Sequence, residues 1–484
     1  MLCLVACSAP GTAAAEDGSS EIETESSWDV TDVSDMPAPV CGNGVVEPGE
    51  ECDPGTTTPC TTSCGSGGRL TCSATCVAGA CLPPAVETCN GEDDDCDGLT
   101  DEGLLQLIDP VPLEMDLGQG DYEYLVYGQS TAAIPDGWAA LWTRTPRLDG
   151  SGRPMIAEDP TAYLTITDAA GVRTAGPVAV FTGAVRPPGP VAILWTGSDV
   201  AFVVIPWNFA GLPADVLFGR ASRTAALTLA PTRVLGFDIG MGAGPLAGGS
   251  HGLAWVYAFW NPDVPDEHLM FAGIDDAGAL VGTPTELLAE TPTSTNGGSP
   301  IPLWTGSDFG IAWRGKLVRA TAEGVALGEP TTLTGRVFGS AVRSALAWNG
   351  STWATAWSGC CGLPDTCAGS GDGNGVLFAR FEADGVRIGD DACLTPTTSS
   401  RWEARIAARE REFAVGWSDG SIPGSPGPSC DTGYVLRMTD GGEPIGEPIR
   451  LGECEGGPAE IFPTERGYVV LMSYQRIMRI ECPP

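Results

Sequence analysis

Basic side chains are scarce in this chain. Its 484 residues hold 25 Lys and Arg against 62 Asp and Glu, a formal charge of −37. Lys316 is the one lysine, and His251 and His268 are the two histidines. So acidic a surface argues against nucleic acid and against an anionic membrane face as partners, since both are held by basic patches. Catalysis built on histidine or lysine is poorly supplied. No apolar run reaches the roughly 20 residues of a membrane-spanning helix.

Other residues are abundant. Apolar residues make up 43% of the chain, enough for a sizeable core, and 66 Gly with 40 Pro suit many turns. Eighteen cysteines in an acidic, loop-rich chain point to an oxidising compartment. A zinc protein would show repeated C-x2-C pairs and more histidine.

One phrase recurs seven times from about residue 104 onward. Its clearest copies are ILWTGSDVAFVV (193–204), PLWTGSDFGIAW (302–313) and LAWNGSTWATAW (346–357). Each reads as a strand, a tight Thr/Asn-Gly-Ser turn and a second strand. The second strands align on Trp142, Val204, Trp255, Trp313, Trp357, Trp417 and Met472. Four residues earlier stand Trp138, Val200, His251, Phe309, Trp353, Phe413 and Tyr468. A third strand, a Gly-containing turn and a fourth strand follow most copies. Four strands at a period near 50 predict an all-β, seven-bladed β-propeller, with six or eight blades as alternatives, and the aromatic stripe as core between blades. The last copy stops after its third strand, 475–481, while 109–118 reads as an orphan fourth strand. That strand is expected to close the ring, burying the edges an open sheet exposes.

The residues before the repeats divide further. Leu4-Val5-Ala6-Cys7 resembles a bacterial lipobox. That resemblance implies that 1–7 is the end of a signal peptide whose true start lies upstream. It also implies acylation of Cys7 and, with Ser8 following, an outer-membrane or cell-surface location. Residues 8–40 carry eight acids and no base and read as a disordered tether. Cys41 to Gly55, CGNGVVEPGEECDPG, resembles the disulfide-rich repeat of myxobacterial surface proteins. Residues 41–87 therefore read as a small module with too little core to fold unstapled. Gly42 and Gly44 are expected in turns, and Glu47, Glu50, Glu51 and Asp53 on a solvated face.

Residues 88–103, TCNGEDDDCDGLTDEG, resemble the MopE-type metal-binding motif, named for a copper-binding surface protein. The residues themselves favour calcium. Asp93, Asp95 and Asp97 alternate before Gly98, as at the start of a calcium loop. Leu99, Asp101 and Glu102 complete the candidate ligand set. Hard oxygens suit calcium, whereas copper, the alternative, takes imidazole or sulfur. Leu104 stands where an EF-hand has its closing Glu. Cys89 and Cys96 are expected to pair across the loop.

The longer insertions, 143–161, 205–215, 258–268, 358–375 and 418–433, fall between second and third strands and so on one face of the ring. Scaffold-held loops of this kind carry binding. The candidates are Trp207, Asn208, Phe209, Trp260, Asn261, Asp263 and Asp266. The expected function is a lipid-anchored, calcium-stabilised surface protein whose propeller (104–484) binds glycan or protein, its oligomeric state left open. The alternative is a propeller hydrolase or lyase using paired carboxylates on polysaccharide. Cys360, Cys361, Cys367 and Cys393 are expected to pair within the fifth blade, and Cys430 and Cys454 lie in the sixth. Cys482 is expected to bond one of the nine cysteines of 41–96.

Overall fold

The computed structural model describes residues 40–484 except 57, 89–92, 98–100, 102–104, 113–123, 147–160, 183–191, 206–213, 238–240, 250–251, 261–265, 292–299, 334–344, 360, 362–374, 396–400, 420–431, 453–456, 473–475 and 483–484. The chain forms two units, 1–60 with 69–82, and 61–68 with 83–484. Cys7 and the tether lie outside the described residues.

The first unit is a stapled module. Strands β1 (Thr58–Thr61), β2 (Gly67–Cys72) and β3 (Ala78–Leu82) form one sheet. Disulfides Cys41–Cys76, Cys52–Cys72 and Cys60–Cys81 hold it. Gly42 and Gly44 take φ of 90° and 87°, as turn residues should. Asp53 corrects the sequence reading, because it is fully buried. Its carboxylate accepts the backbone N–H groups of Gly42 (2.9 Å), Asn43 (3.2 Å) and Gly44 (3.1 Å). Successive N–H groups in a left-handed turn form an anion nest, and a carboxylate two turns on fills it. Glu51 is likewise committed, accepting from Ala78 N at 2.8 Å.

The second unit contains seven four-stranded antiparallel sheets, each in sequential order but the last. The first blade is Tyr124–Ile134, Gly137–Pro146, Thr161–Asp168 and Arg173–Thr182. The second to sixth span 192–237, 241–290, 301–332, 345–393 and 401–450. The seventh runs Pro458–Thr464, Gly467–Met472 and Arg476–Glu481, and its fourth strand is Gln106–Pro112 from the start of the repeat region. The closing strand pairs Glu481 with Gln106 and Arg476 with Pro112. It therefore begins at Gln106 rather than Asp109, and residues 113–118 lie outside the described set. First strands neighbour one another and are innermost.

Apolar clusters fill all seven seams, from the first–second, where Leu141 and Ile166 meet Phe202 and Val204, round to the seventh–first, where Trp138 and Trp142 meet Val469 and Ile477. Trp142, Val204, Trp255, Trp313, Trp357, Trp417 and Met472 are all buried, and His251 lies outside the described residues. The third blade corrects the alignment by two residues. Ala254 opposes Gly273 as Ala201 opposes Arg220, so Leu253 and Tyr257, not His251 and Trp255, occupy the anchor places. A slip of two keeps every side chain on its face, so Trp255 is buried all the same, stacked on Tyr257.

The seams also carry a feature the sequence reading missed. Two residues before the turn that joins third to fourth strand in the first six blades stand Ile166, Arg220, Gly273, Arg319, Arg380 and Arg437, and Arg479 holds the same register in the third strand of the seventh. Arg220, Arg380 and Arg479 each donate to the carbonyl of the second turn residue in the next blade, Asp276, Asp440 and Ala169. Arg220, Arg319 and Arg437 also pair with an acid at the first turn of their own blade, Asp199, Asp308 and Glu412. Those first turns close as expected, with Gly197, Gly306 and Gly350 at φ of 101°, 105° and 100°.

Two cysteine expectations are settled. Cys361 bonds Cys393 within the fifth blade. Cys96 bonds Cys64, not Cys89, because the hairpin tip at 61–68 lies against the acidic loop. Cys482 is itself in a disulfide, and the ten other described cysteines pair among themselves. The path to the acidic segment is short. Cys482 N donates to Arg466 O, Arg409 bonds Glu465 O and lies 3.5 Å from Asp101, and Asp101 N donates to Glu87. Of the nine module cysteines, only Cys89 has no partner assigned here. Peptide mapping without reduction is therefore expected to return Cys482 joined to Cys89. Cys482 joined to a propeller cysteine would overturn this.

Candidate metal centre

The acidic segment is organised by Glu87, which the sequence reading left outside the motif. Glu87 is buried, and its Oε1 accepts Asp95 N at 2.8 Å while Oε2 accepts Asp101 N at 3.1 Å. Asp94 Oδ2 accepts Thr88 N at 3.0 Å, and Ser66 Oγ donates to Asp94 O at 2.9 Å. The Cys64–Cys96 bridge fixes the same loop to the hairpin tip. Cys96 and Asp101 take positive φ, 62° and 50°, a conformation that Asp tolerates better than branched residues do.

These constraints bring oxygens of Glu87, Asp93 and Asp95 within 4.8 Å of one another. Burial raises the Glu87 pKa, with the charges of Asp95 and Asp94 adding to it and the two backbone donors opposing it. A cation among the three would relieve that repulsion. The donor set fits a hard ion, since it is all carboxylate and the nearby sulfurs are tied in a disulfide. Asp97 and Asp101 stand outside the group of three. Asp97 N donates to Asp95 Oδ1, and Asp101, fully buried, faces Arg409. Leu99, Glu102 and Cys89 lie outside the described residues.

Arg409 leads into a buried polar chain. It lies 3.8 Å from Glu412, whose Oε2 accepts from Arg437 Nε (3.0 Å) and whose Oε1 accepts from Tyr468 Oη (3.0 Å). Burial raises the Glu412 pKa against the opposing pull of Arg437. Removing one partner of such a group costs about 3–5 kcal/mol, because the other charge is left buried and unpaired.

Of the expected ligand-face residues, Trp207, Asn208, Phe209, Asn261 and Asp263 lie outside the described residues, as do Cys430 and Cys454. Trp260 is corrected from loop to strand. It ends the strand Gly252–Trp260, opposite Glu267, because the alternation continues through Ala258-Phe259-Trp260. Asp266 accepts from Thr291 Oγ1 at 2.5 Å, tying the start of one strand to the end of the next.

The first strand of the seventh blade holds a carboxyl that no sequence pattern announced. Glu460 is bonded by the backbone N–H of Thr131 in the first blade and sits near Arg405 of the sixth. Its Oε2 is buried and accepts no hydrogen bond. Burial pushes its pKa up to about 8. Glu460 as a residue is half-buried, and one carboxyl of raised pKa is a single member of the acid pair that the hydrolase alternative requires.

The chain resembles known proteins in fold only. No protein-family model matches it, and no curated protein matches it. The WD40 domain of Neurospora crassa Pan2 aligns at 9% identity over 78% of this chain and 98% of its own, with a TM-score of 0.39. The WD40 domain of SCAP from fission yeast aligns at 9% over 79% and 99%, with a TM-score of 0.40. The GH43 endo-arabinanase of Bacillus licheniformis aligns at 10% over 67% and 98%, with a TM-score of 0.34. The propeller assignment rests on the sheet order and the seven seams.

The Glu460 shift has a sign that can be checked. Its folded pKa lies above the roughly 4.3 of an unfolded Glu, so the folded state keeps a proton that the unfolded chain releases. Stability therefore falls as pH rises from about 4.3 towards 8. Glu460→Gln should raise the thermal midpoint relative to wild type, by more at pH 8 than at pH 5. A difference that does not change with pH would refute the assignment.

Proposed function

We propose that this chain is a surface protein, lipid-anchored through Cys7, whose propeller binds glycan or protein through loops on one rim and is braced by calcium at Glu87, Asp93 and Asp95. One observation carries the binding role. Antiparallel order puts every second-to-third-strand connection on the same edge of the ring. Five of them are extended, between Pro146 and Thr161, Val204 and Ala214, Trp260 and Glu267, Gly359 and Gly375, and Asp419 and Thr432. In the fourth blade the same connection is the two-residue turn Arg314-Gly315, so the fold itself does not require length there. Loops grown on one edge of a rigid ring are a binding surface. The disulfides support an oxidising exterior.

The brace and the binding role separate experimentally. Calcium should raise the thermal midpoint of the wild type, because an ion bound only by the folded form adds its binding free energy to stability. Asp95→Asn and Glu87→Gln should each abolish the rise. A rise with copper and none with calcium would transfer the site to the softer metal. For binding, a glycan panel and surface extracts should retain the wild type, and Trp207→Ala with Phe209→Ala should weaken retention without lowering the midpoint. Equal retention of wild type and variants would remove the rim from the reading. Cys7→Ala should release the protein from detergent-phase membranes when it is expressed from its full gene.

A further inference from the structure

The side chains that clasp one blade to the next leave one place empty. At this shared third-strand position, five blades have arginine and the first has buried Ile166. The third has Gly273, with Val281 beside the place a Cβ would take and no longer side chain reaching across the seam. A cavity of about 100 Å³ opens there, between the third blade and the turn of the fourth. Its walls include Leu253, Phe271, Phe309, Thr283, Ala322 and Glu323.

The cavity keeps the chemistry of its occupied sisters. Its floor is the aromatic and aliphatic surface on which an arginine stem packs. At its end stands the Ala322 carbonyl, the second residue of its turn. In three other seams that carbonyl, on Asp276, Asp440 and Ala169, accepts from an arginine. Among the described residues none donates to the Ala322 carbonyl. The acceptor at its end and the −37 charge of the chain favour a cationic donor. The turn itself is held rigid. A Cβ on Gly324 would stand 2.3 Å from Phe271, so turn and wall are packed together beside the opening. A cavity of roughly 150 Å³ takes benzene, so 100 Å³ has room for a short aliphatic stem with its head at the open mouth.

We propose that the slot over Gly273 is a docking site for an arginine side chain presented by a partner protein, which supplies from outside the clasp that the third blade lacks. The site lies at the turns, on the edge opposite the rim loops, so it stands whether or not those loops bind glycan. The arginine stem lies on Phe271 and Phe309, and its guanidinium meets the Ala322 carbonyl.

The probe is n-butylguanidinium, a monovalent stem and head, titrated at fixed ionic strength while the thermal midpoint is followed. Tetramethylammonium serves as the control for unspecific charge. A saturable rise with the first and none with the second is expected. Gly273→Arg should fill the slot from within, raising the midpoint without probe and removing the response. A Cβ at that position meets Val281 Cβ at 3.3 Å, so this variant asks for a small shift. Thr283→Trp therefore blocks the slot from its exposed rim, without touching the third strand. It should raise the half-saturating concentration about tenfold, about 1.4 kcal/mol. Failure of the wild type to respond, or a response unchanged in Thr283→Trp, overturns the proposal.

Discussion

The whole of the second unit depends on one ladder, the pairing of Gln106–Pro112 with Arg476–Glu481. A ring of sheets has no exposed edge only if its last blade is completed from the other end of the chain. That pairing spans nearly the entire propeller sequence, and ring closure over so many residues carries an entropy cost that grows only slowly with length. The cost is met at the seventh seam, where Trp138 and Trp142 of the first blade pack against Phe462, Val469, Leu471 and Ile477 of the last. The early strand also determines what lies before it. Just before it, Asp101 is held at Arg409 on the edge where the closing strand begins.

The arginine positions show how an acidic chain uses its few bases. Twenty-five basic residues face sixty-two acids, yet five arginines stand at one structural position, in the second and the fourth to seventh blades. Each joins a first-turn acid, a next-blade carbonyl, or both, and the three that pair with acids are 12% (Arg220), 23% (Arg319) and 4% (Arg437) exposed. Half-sheltered pairs of this kind add less to net stability than the apolar seams beside them, because desolvation offsets most of the attraction. Their effect is on register. A blade shifted by one residue would turn its arginine to the opposite face and away from both partners. Gly273 is the exception that leaves a cavity rather than a filled seam.

Much of the fold was legible in the chain because hairpin chemistry is local. Thr-Gly-Ser turns, alternating strands and a period near 50 reveal blades without any long-range information, and the unfinished last copy reveals the closing strand. The errors came where a choice depended on partners distant in sequence. The third blade was aligned two residues early because a shift of two preserves alternation and Trp255 satisfies the pattern as well as Tyr257 does. Asp53 reads as one more surface acid until the turn at Gly42–Gly44 folds over it. Cys96 was paired with the nearest cysteine in sequence, whereas the hairpin carrying Cys64 is the nearest in space. Glu87 lies outside the repeated acids and joins them only through the backbone of Asp95 and Asp101.

The same distinction separates the two candidate cation sites. In the acidic segment the ligands come from eight or so neighbouring residues, and the local backbone bonds of Glu87 hold them together before any ion arrives. Charge there is concentrated, and burial makes it costly, which is the condition under which a metal contributes to stability rather than merely associating. Over Gly273 the site is built from two blades. Phe271 belongs to one, Phe309 and Ala322 to the other, and neither has a pocket without the seam. Such a site exists only in the closed ring, so whatever it binds reads out the integrity of the propeller, whereas the acidic segment requires only its own loop and the Cys64–Cys96 staple.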